Sequence, residues 1–234
     1  MALAFSAHTP GNARVGPPGP PPAARPSFDI LTRRMDVDVD GAPTAYGPPG
    51  LPTLDDLRNA HSMGRPDAPI VGYLLEADPP HRPVIQGRND PAPGYYVSQT
   101  AFSDPAIEDE RDPRAYLNAS AINYVVLGDR ARQLGARLGD FVAVFSRRTG
   151  RVVIGIVGDS GNPSGDEGSL HLLQALGYPF RDGKSDSVER PEIVVRFFPG
   201  SNPEHRFFRT QAALDAAARD LGLDRDFTSA ASGK

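Results

Sequence analysis

The sequence predicts a β-rich α+β domain, a barrel of about seven or eight short strands with short peripheral helices. Three observations predict it. Apolar runs are short and are broken by turns drawn from 24 Gly and 25 Pro. Helical periodicity is confined to a few brief stretches, the last at about 210–222. No apolar run approaches the roughly 20 residues of a membrane span.

The chain has 234 residues, enough for one domain with a proper core plus a tail. We divide it into a leader, 1–27, and a single domain, 28–234. The leader is rich in Pro and Gly with one aromatic, Phe5, and reads as disordered or polyproline-like. Its first residues lack the basic start and apolar core of a signal peptide. The net charge of −4 argues against nucleic acid, which wants a basic footprint. With no Cys there is no disulfide, thiolate metal site or cysteine nucleophile.

Folded sequence begins near Phe28. Asp36-Val37-Asp38-Val39-Asp40-Gly41 alternates acid and apolar residues, a strand running into a turn. Thr53-Leu54-Asp55-Asp56-Leu57 starts a short helix that Gly64 stops, with Thr as cap and acids in the first turn. Ile70–Leu75, Pro83–Gln86 and Gly94–Thr100 read as strands. In the last of these Tyr95 and Tyr96 face opposite ways, so one is core and the other is free for a cleft. Asp112–Tyr116 is a helical turn or loop, and Asn123–Leu127 a strand. Asp140–Ser146 and Arg151–Val157 form a hairpin around Arg147-Arg148-Thr149-Gly150. Leu170–Leu176 is a helix ended by Gly177, and Glu192–Phe198 a strand. Thr210 caps the last helix, Gln211–Leu221, closed by Gly222.

The candidate chemistry sits in Val152–Gly168, where an apolar strand ends in a glycine-rich loop bearing Asp159, Asp166 and Glu167. Gly158-Asp159-Ser160-Gly161 matches the tetrapeptide around a trypsin-like nucleophile. Asn162-Pro163 follows it, however, and His61 and His81 sit in segments that place no base for Ser160. A phosphate loop is excluded by three acids and the absence of G-K-[ST]. Asp36–Gly41 matches the first half of a calcium loop. The second half fails, because its last position is Gly47 rather than a bidentate Glu. The five histidines are scattered without zinc-ligand spacing. We therefore expect no metal and no cofactor. Paired carboxylates remain, Asp159 and Glu167 on two sides of a cleft, as glycoside hydrolysis requires. Solvated loop acids are the alternative.

Five segments in order carry a resemblance. They are Asp36–Tyr46 (D-V-D-V-D-G-A-P-T-A-Y), Gln86-Gly87 with Asp90–Ser98 (D-P-A-P-G-Y-Y-V-S), and Asp112–Tyr116 with Ile122–Leu127. Leu138–Val144 follows, and then Ile156–Asp159 with Glu167–Ser169. From about Met35 to about Pro199 the chain resembles the fungal-type chitosanases of glycoside hydrolase family 75. The resemblance implies a six-stranded double-psi-like β-barrel and endo-cleavage of β-1,4 glucosamine linkages with inversion. It implies Glu167 as acid and Asp159 as base. Asp36, Asp38, Asp40 and Asp166 would line the substrate cleft, and Tyr95 or Tyr96 would offer a sugar-stacking face in a chain without Trp.

The chain departs from the family pattern in places. Val39 stands where the family has Cys, Asn123 where it has Pro, and Asp166 adds a charge beside the proposed acid. The resemblance implies a polysaccharide partner and action outside the producing cell or in a target-cell periplasm. The alternatives are an antibacterial effector cutting the peptidoglycan backbone, with an immunity or secretion partner, and a sugar-binding barrel without activity.

Overall fold

The computed structural model describes residues 26–231. The expected disordered leader falls, except for its last two residues, outside the described residues. Eight strands form one mixed sheet curved into a half-barrel, with few short helices. The strands are β1 (Phe28–Leu31), β2 (Met35–Asp38), β3 (Tyr124–Leu127), β4 (Phe141–Ser146), β5 (Val152–Ser160), β6 (Glu167–Ser169), β7 (Ser187–Val188) and β8 (Ile193–Phe197). Their order across the sheet is β1-β8-β4-β5-β3-β6-β2-β7. The pairs β2–β6 and β3–β5 are parallel and the others antiparallel.

The centre of the sheet is buried on both faces. All residues of β3, β4 and β8 are buried, as expected for near-continuous runs of Val, Ile and Phe. By contrast β2 alternates, with Met35 and Val37 in the core and Asp36 and Asp38 on the other face. The α-helices are α1 (Asp129–Gln133), α2 (Leu170–Ala175), α3 (Gln211–Asp220) and α4 (Thr228–Ala231). The Ser169 hydroxyl caps α2 by accepting from the Leu172 N–H, and Thr210 caps α3 by accepting from the Ala213 N–H. Buried Leu214, Ala217 and Ala218 form one stripe of α3, at the spacing that lets a single helix face pack on β5. Arg196 ties the C-terminal segment down through Asp29, Asp224 and the Asp226 carbonyl.

Several expectations need correction. Thr53–Gly64 is not a helix; it is a series of turns with a 3-10 turn at Ser62–Gly64. Asp55 spends its carboxylate on the Asp56 N–H and the Asn59 amide, so the local acid caps a turn. The expected strands at 70–75, 83–86 and 94–100 make only isolated bridges, Tyr73↔Ser98, Leu75↔Pro83 and Ile85↔Tyr96. Pro79, Pro80 and Pro83 remove ladder donors there. This arm carries its own small apolar cluster around Val84, Val97, Ala115 and Tyr116. Three short strands, β1, β6 and β7, and the helices α1 and α4 had no reading in the sequence.

The central strand also runs further than expected. β5 continues through Asp159 and Ser160 instead of ending at Val157, and Glu167 opens β6 instead of lying in a loop.

Candidate active site

The backbone aims the acids before any side chain is considered. β3 pairs with β5 as Val125↔Val157 and then Val126↔Asp159, so Gly158 is an extra residue, a β-bulge. Directly paired residues point to the same face. Without the bulge Asp159 would share the face of Val157, in the core; with it, Asp159 turns to the face of Val126. Only Gly fits the bulge. A Cβ at position 158 would lie 2.6 Å from Tyr124 Cβ and 2.6 Å from Leu117 Cδ1.

Pairing carries this row across the sheet. Val125 opposes Gly168 in the antiparallel β3–β6 pair, which sets Val126 against Glu167, and Glu167 pairs with Asp36 on β2. Asp159, Val126, Glu167 and Asp36 therefore form one line over four strands, all on one face. All four line a single cavity of about 400 Å³. Asp38 and Asp40 enter it one step further along β2 and its following turn.

The cavity wall is acidic. Asp36, Asp38, Asp40, Asp55, Asp159, Glu167 and Asp186 line it, against the cations Arg34 and Lys184. Arg34 is engaged by Asp36 at 2.5 Å and by Glu189 at 3.3 Å. Asp159 is 7 % exposed, and its Oδ1 accepts the Ala101 N–H (2.9 Å) and the Ser160 N–H (2.7 Å). Glu167 Oε1 accepts the Asn162 amide at 2.8 Å. Asp38 Oδ1 accepts the Asp40 N–H at 2.8 Å, and Asp40 Oδ1 accepts the Tyr46 hydroxyl at 2.8 Å. The Tyr124 hydroxyl donates to the Asp40 carbonyl at 2.9 Å. These bonds fix the carboxylates without neutralising them.

Burial is the first cause of every pKa change in the group. It pushes Asp38 up to about 6 and Glu167 up to about 7, the latter with help from the Asp38 charge and against the Asn162 donor. Burial, then the charge of Asp38, raises Asp159 well above the usual carboxylate range, while its two backbone donors pull it down. Asp40 rises well above that range too, from burial and the Asp38 charge. One oxygen from each of Asp38, Asp40 and Asp159 lies within 4.8 Å of the other two. At that spacing a shared proton or a hard cation relieves the repulsion. Among the described residues every buried side-chain polar atom already has a partner, so the hydrogen bonding itself calls for no ion.

Of the residues expected to form the site, Asp36, Asp38, Asp40, Asp159 and Glu167 come together here. Three do not. Tyr96 is in the core, its ring 5.1 Å from that of Tyr73. Tyr95 donates its hydroxyl to the Pro52 carbonyl. Neither lines the cavity, and the tyrosine in its wall is Tyr46. Asp166 neighbours Glu167 on the chain but lines a separate groove, with Arg33 at 3.9 Å, because adjacent strand residues face opposite ways. Sequence reasoning missed Asn162, Asp55 and Asp186. Asn162 was visible only as a loop residue, and the other two gave no signal apart from their charge.

No protein-family model matches this chain, and no curated protein matches it.

Proposed function

We propose that the protein is an inverting, endo-acting glycoside hydrolase of β-1,4-linked glucosamine polymers such as chitosan, with Glu167 as general acid and Asp159 as general base. The observation that carries this reading is the convergence of Asp159 and Glu167 from two strands into one acid-lined cavity. They stand two strand spacings apart, about 10 Å at the backbone. This is compatible with the roughly 6.5–9.5 Å that inversion needs to seat a water.

The division of labour follows from environment. Glu167, pushed up to about 7, keeps its proton through the mildly acidic range and can give it to the leaving glycosidic oxygen. Asp159 has one oxygen held by two N–H groups, which leaves the other for a water on the opposite face of the sugar. As the C1–O bond breaks, the water oxygen attacks C1 and its proton passes to Asp159. An ammonium group in the cavity would lower the pKa of the surrounding carboxylates and favour the ionised base. Asp36, Asp38, Asp55 and Asp186 supply the field that attracts such a cation.

In this reading the core of the sheet is a six-stranded double-psi-like barrel, supported by the two parallel pairings β2–β6 and β3–β5. Action lies outside the producing cell, where such polymers are found. The test is release of new reducing ends from chitosan and from purified peptidoglycan. Release from chitosan that Glu167→Gln abolishes supports the proposal. Release from peptidoglycan alone would replace the substrate, and release from neither would sink the enzyme reading.

A further inference from the structure

Asp55 stands apart from the acids that crowd the centre of the cavity. Asp38, Asp40 and Asp159 lie within 4.8 Å of one another, and Asp36 is engaged by Arg34. Asp186 is only half-buried, and its Oδ2 accepts the N–H groups of Arg181 and Asp182. Asp55 lines the same cavity but is 6 % exposed, and among the described residues no cation pairs with it.

Its position is fixed on several sides. The Asp55 N–H donates to the Ala45 carbonyl at 3.0 Å, and the neighbouring Leu54 carbonyl accepts the Gly183 N–H at 2.9 Å. The local turn takes only one carboxylate oxygen. Oδ1 accepts the Asp56 N–H and the Asn59 amide, both at 2.7 Å. Oδ2 has no partner in the protein, and it is not sealed from the solvent of the cavity. Gly183 keeps room beside it. A Cβ at position 183 would lie 3.0 Å from Oδ2 and 3.1 Å from Val39 Cγ1.

A buried carboxylate without a counter-ion is costly. Burial pushes this one up to about 6, against the Asn59 and Asp56 donors. A cation at Oδ2 would offset that cost. A metal ion asks for several oxygens at once, whereas a primary ammonium brings three N–H donors and is satisfied by single acceptors.

We propose that Asp55 is a specificity-determining residue, whose free Oδ2 accepts the ammonium of a glucosamine unit and so selects deacetylated over N-acetylated polymer. This rests on the reading of the cavity as a site for glucosamine polymers. An N-acetylated unit offers an uncharged amide with one donor, leaves the carboxylate without a counter-ion, and adds bulk beside Gly183.

Calorimetric titration of the Glu167→Gln chain, in which turnover is silenced, tests the selection with a glucosamine tetramer and an N-acetylglucosamine tetramer. Adding Asp55→Asn keeps an oxygen for the Asp56 and Asn59 donors and removes the charge. The preference for the glucosamine tetramer should fall at least about tenfold, through weaker binding of that ligand. An unchanged preference, whether binding is kept or lost equally for both tetramers, overturns the proposal. Gly183→Ala keeps the charge and narrows the space at Oδ2, so it should weaken the glucosamine tetramer at least about threefold; unchanged binding puts the ammonium elsewhere and overturns the proposal. In the active chain Asp55→Asn should raise KM for chitosan more than it lowers kcat, and a loss in kcat with KM unchanged sinks it. Hydrolysis of chitosan with no effect of Asp55→Asn removes the subsite and leaves the hydrolase reading intact. Selective binding that Asp55→Asn abolishes, in a chain that releases no reducing ends, keeps the subsite and removes the hydrolase reading.

Discussion

Glu167→Gln should remove activity at every pH and stabilise the protein increasingly above about pH 4.5, in full above about pH 7. The carboxyl is pushed from 4.5 up to about 7, first by burial and then by the charge of Asp38. At roughly 1.4 kcal/mol per pH unit this corresponds to about 3 kcal/mol. The sign is set by which state binds the proton. Below about pH 4.5 Glu167 is protonated folded and unfolded, and the group costs nothing. Between about 4.5 and 7 the folded state holds the proton more tightly, so stability falls as pH rises, and above 7 the full cost remains. Solvent in the open cavity screens part of it, leaving about 1.5–3 kcal/mol. Gln keeps an oxygen for the Asn162 amide and carries no charge. Thermal unfolding of both chains at pH 4 and pH 8 is the assay. The variant should melt about 3–10 °C higher at pH 8 and at nearly the same temperature at pH 4. Equal or lower stability of the variant at pH 8 would refute the claim that this carboxylate is held against its own solvation.

Other outcomes follow from single contacts. Gly158→Ala should cost about 1–3 kcal/mol, from the overpacked contacts with Tyr124 and Leu117, and at least about tenfold in activity as Asp159 shifts; urea unfolding and reducing-end release check the two parts. Asn162→Ala removes the donor that holds the Glu167 pKa down, so the alkaline limb of the pH–rate profile should move upward while kcat falls. Arg196→Ala should lose about 2 kcal/mol, because its partners Asp29 and Asp224 are partly solvated, and should leave the activity of folded molecules unchanged. Hydrolysis should persist in EDTA; loss restored by calcium would mean that the Asp38–Asp40–Asp159 cluster works with a cation.

The legible parts of the fold were those governed by local pattern. The hairpin of Asp140–Ser146 and Arg151–Val157, the strands at Tyr124 and Ile193, and the cap at Thr210 all lie where apolar runs, turn glycines and a hydroxyl cap put them. The arm at 70–100 misled because its apolar runs obey strand periodicity while its prolines deny it a ladder. β6 and β7 were invisible because strands of three and two residues carry no period. In the site, Asp159 and Glu167 stood out as a pair, but the device that turns Asp159 into the cavity, one extra residue at Gly158, is a register event between strands. Register also decided Tyr95, Tyr96 and Asp166, whose chemistry was right for a cleft and whose facing was not.

The pairing of β2 with β6 joins the beginning of the folded chain to a strand far along it, and this bears on the kinetics of folding. The β4–β5 hairpin is local and can form early, whereas the parallel contact that closes the acidic cavity must wait for a long loop to close. Repulsion among Asp38, Asp40, Asp159 and Glu167 is then absent from the early barrier and present in the finished chain. Acidification should accordingly slow unfolding far more than it speeds refolding. The functional cavity would set the lifetime of the folded molecule, and the hairpin the rate at which it is made.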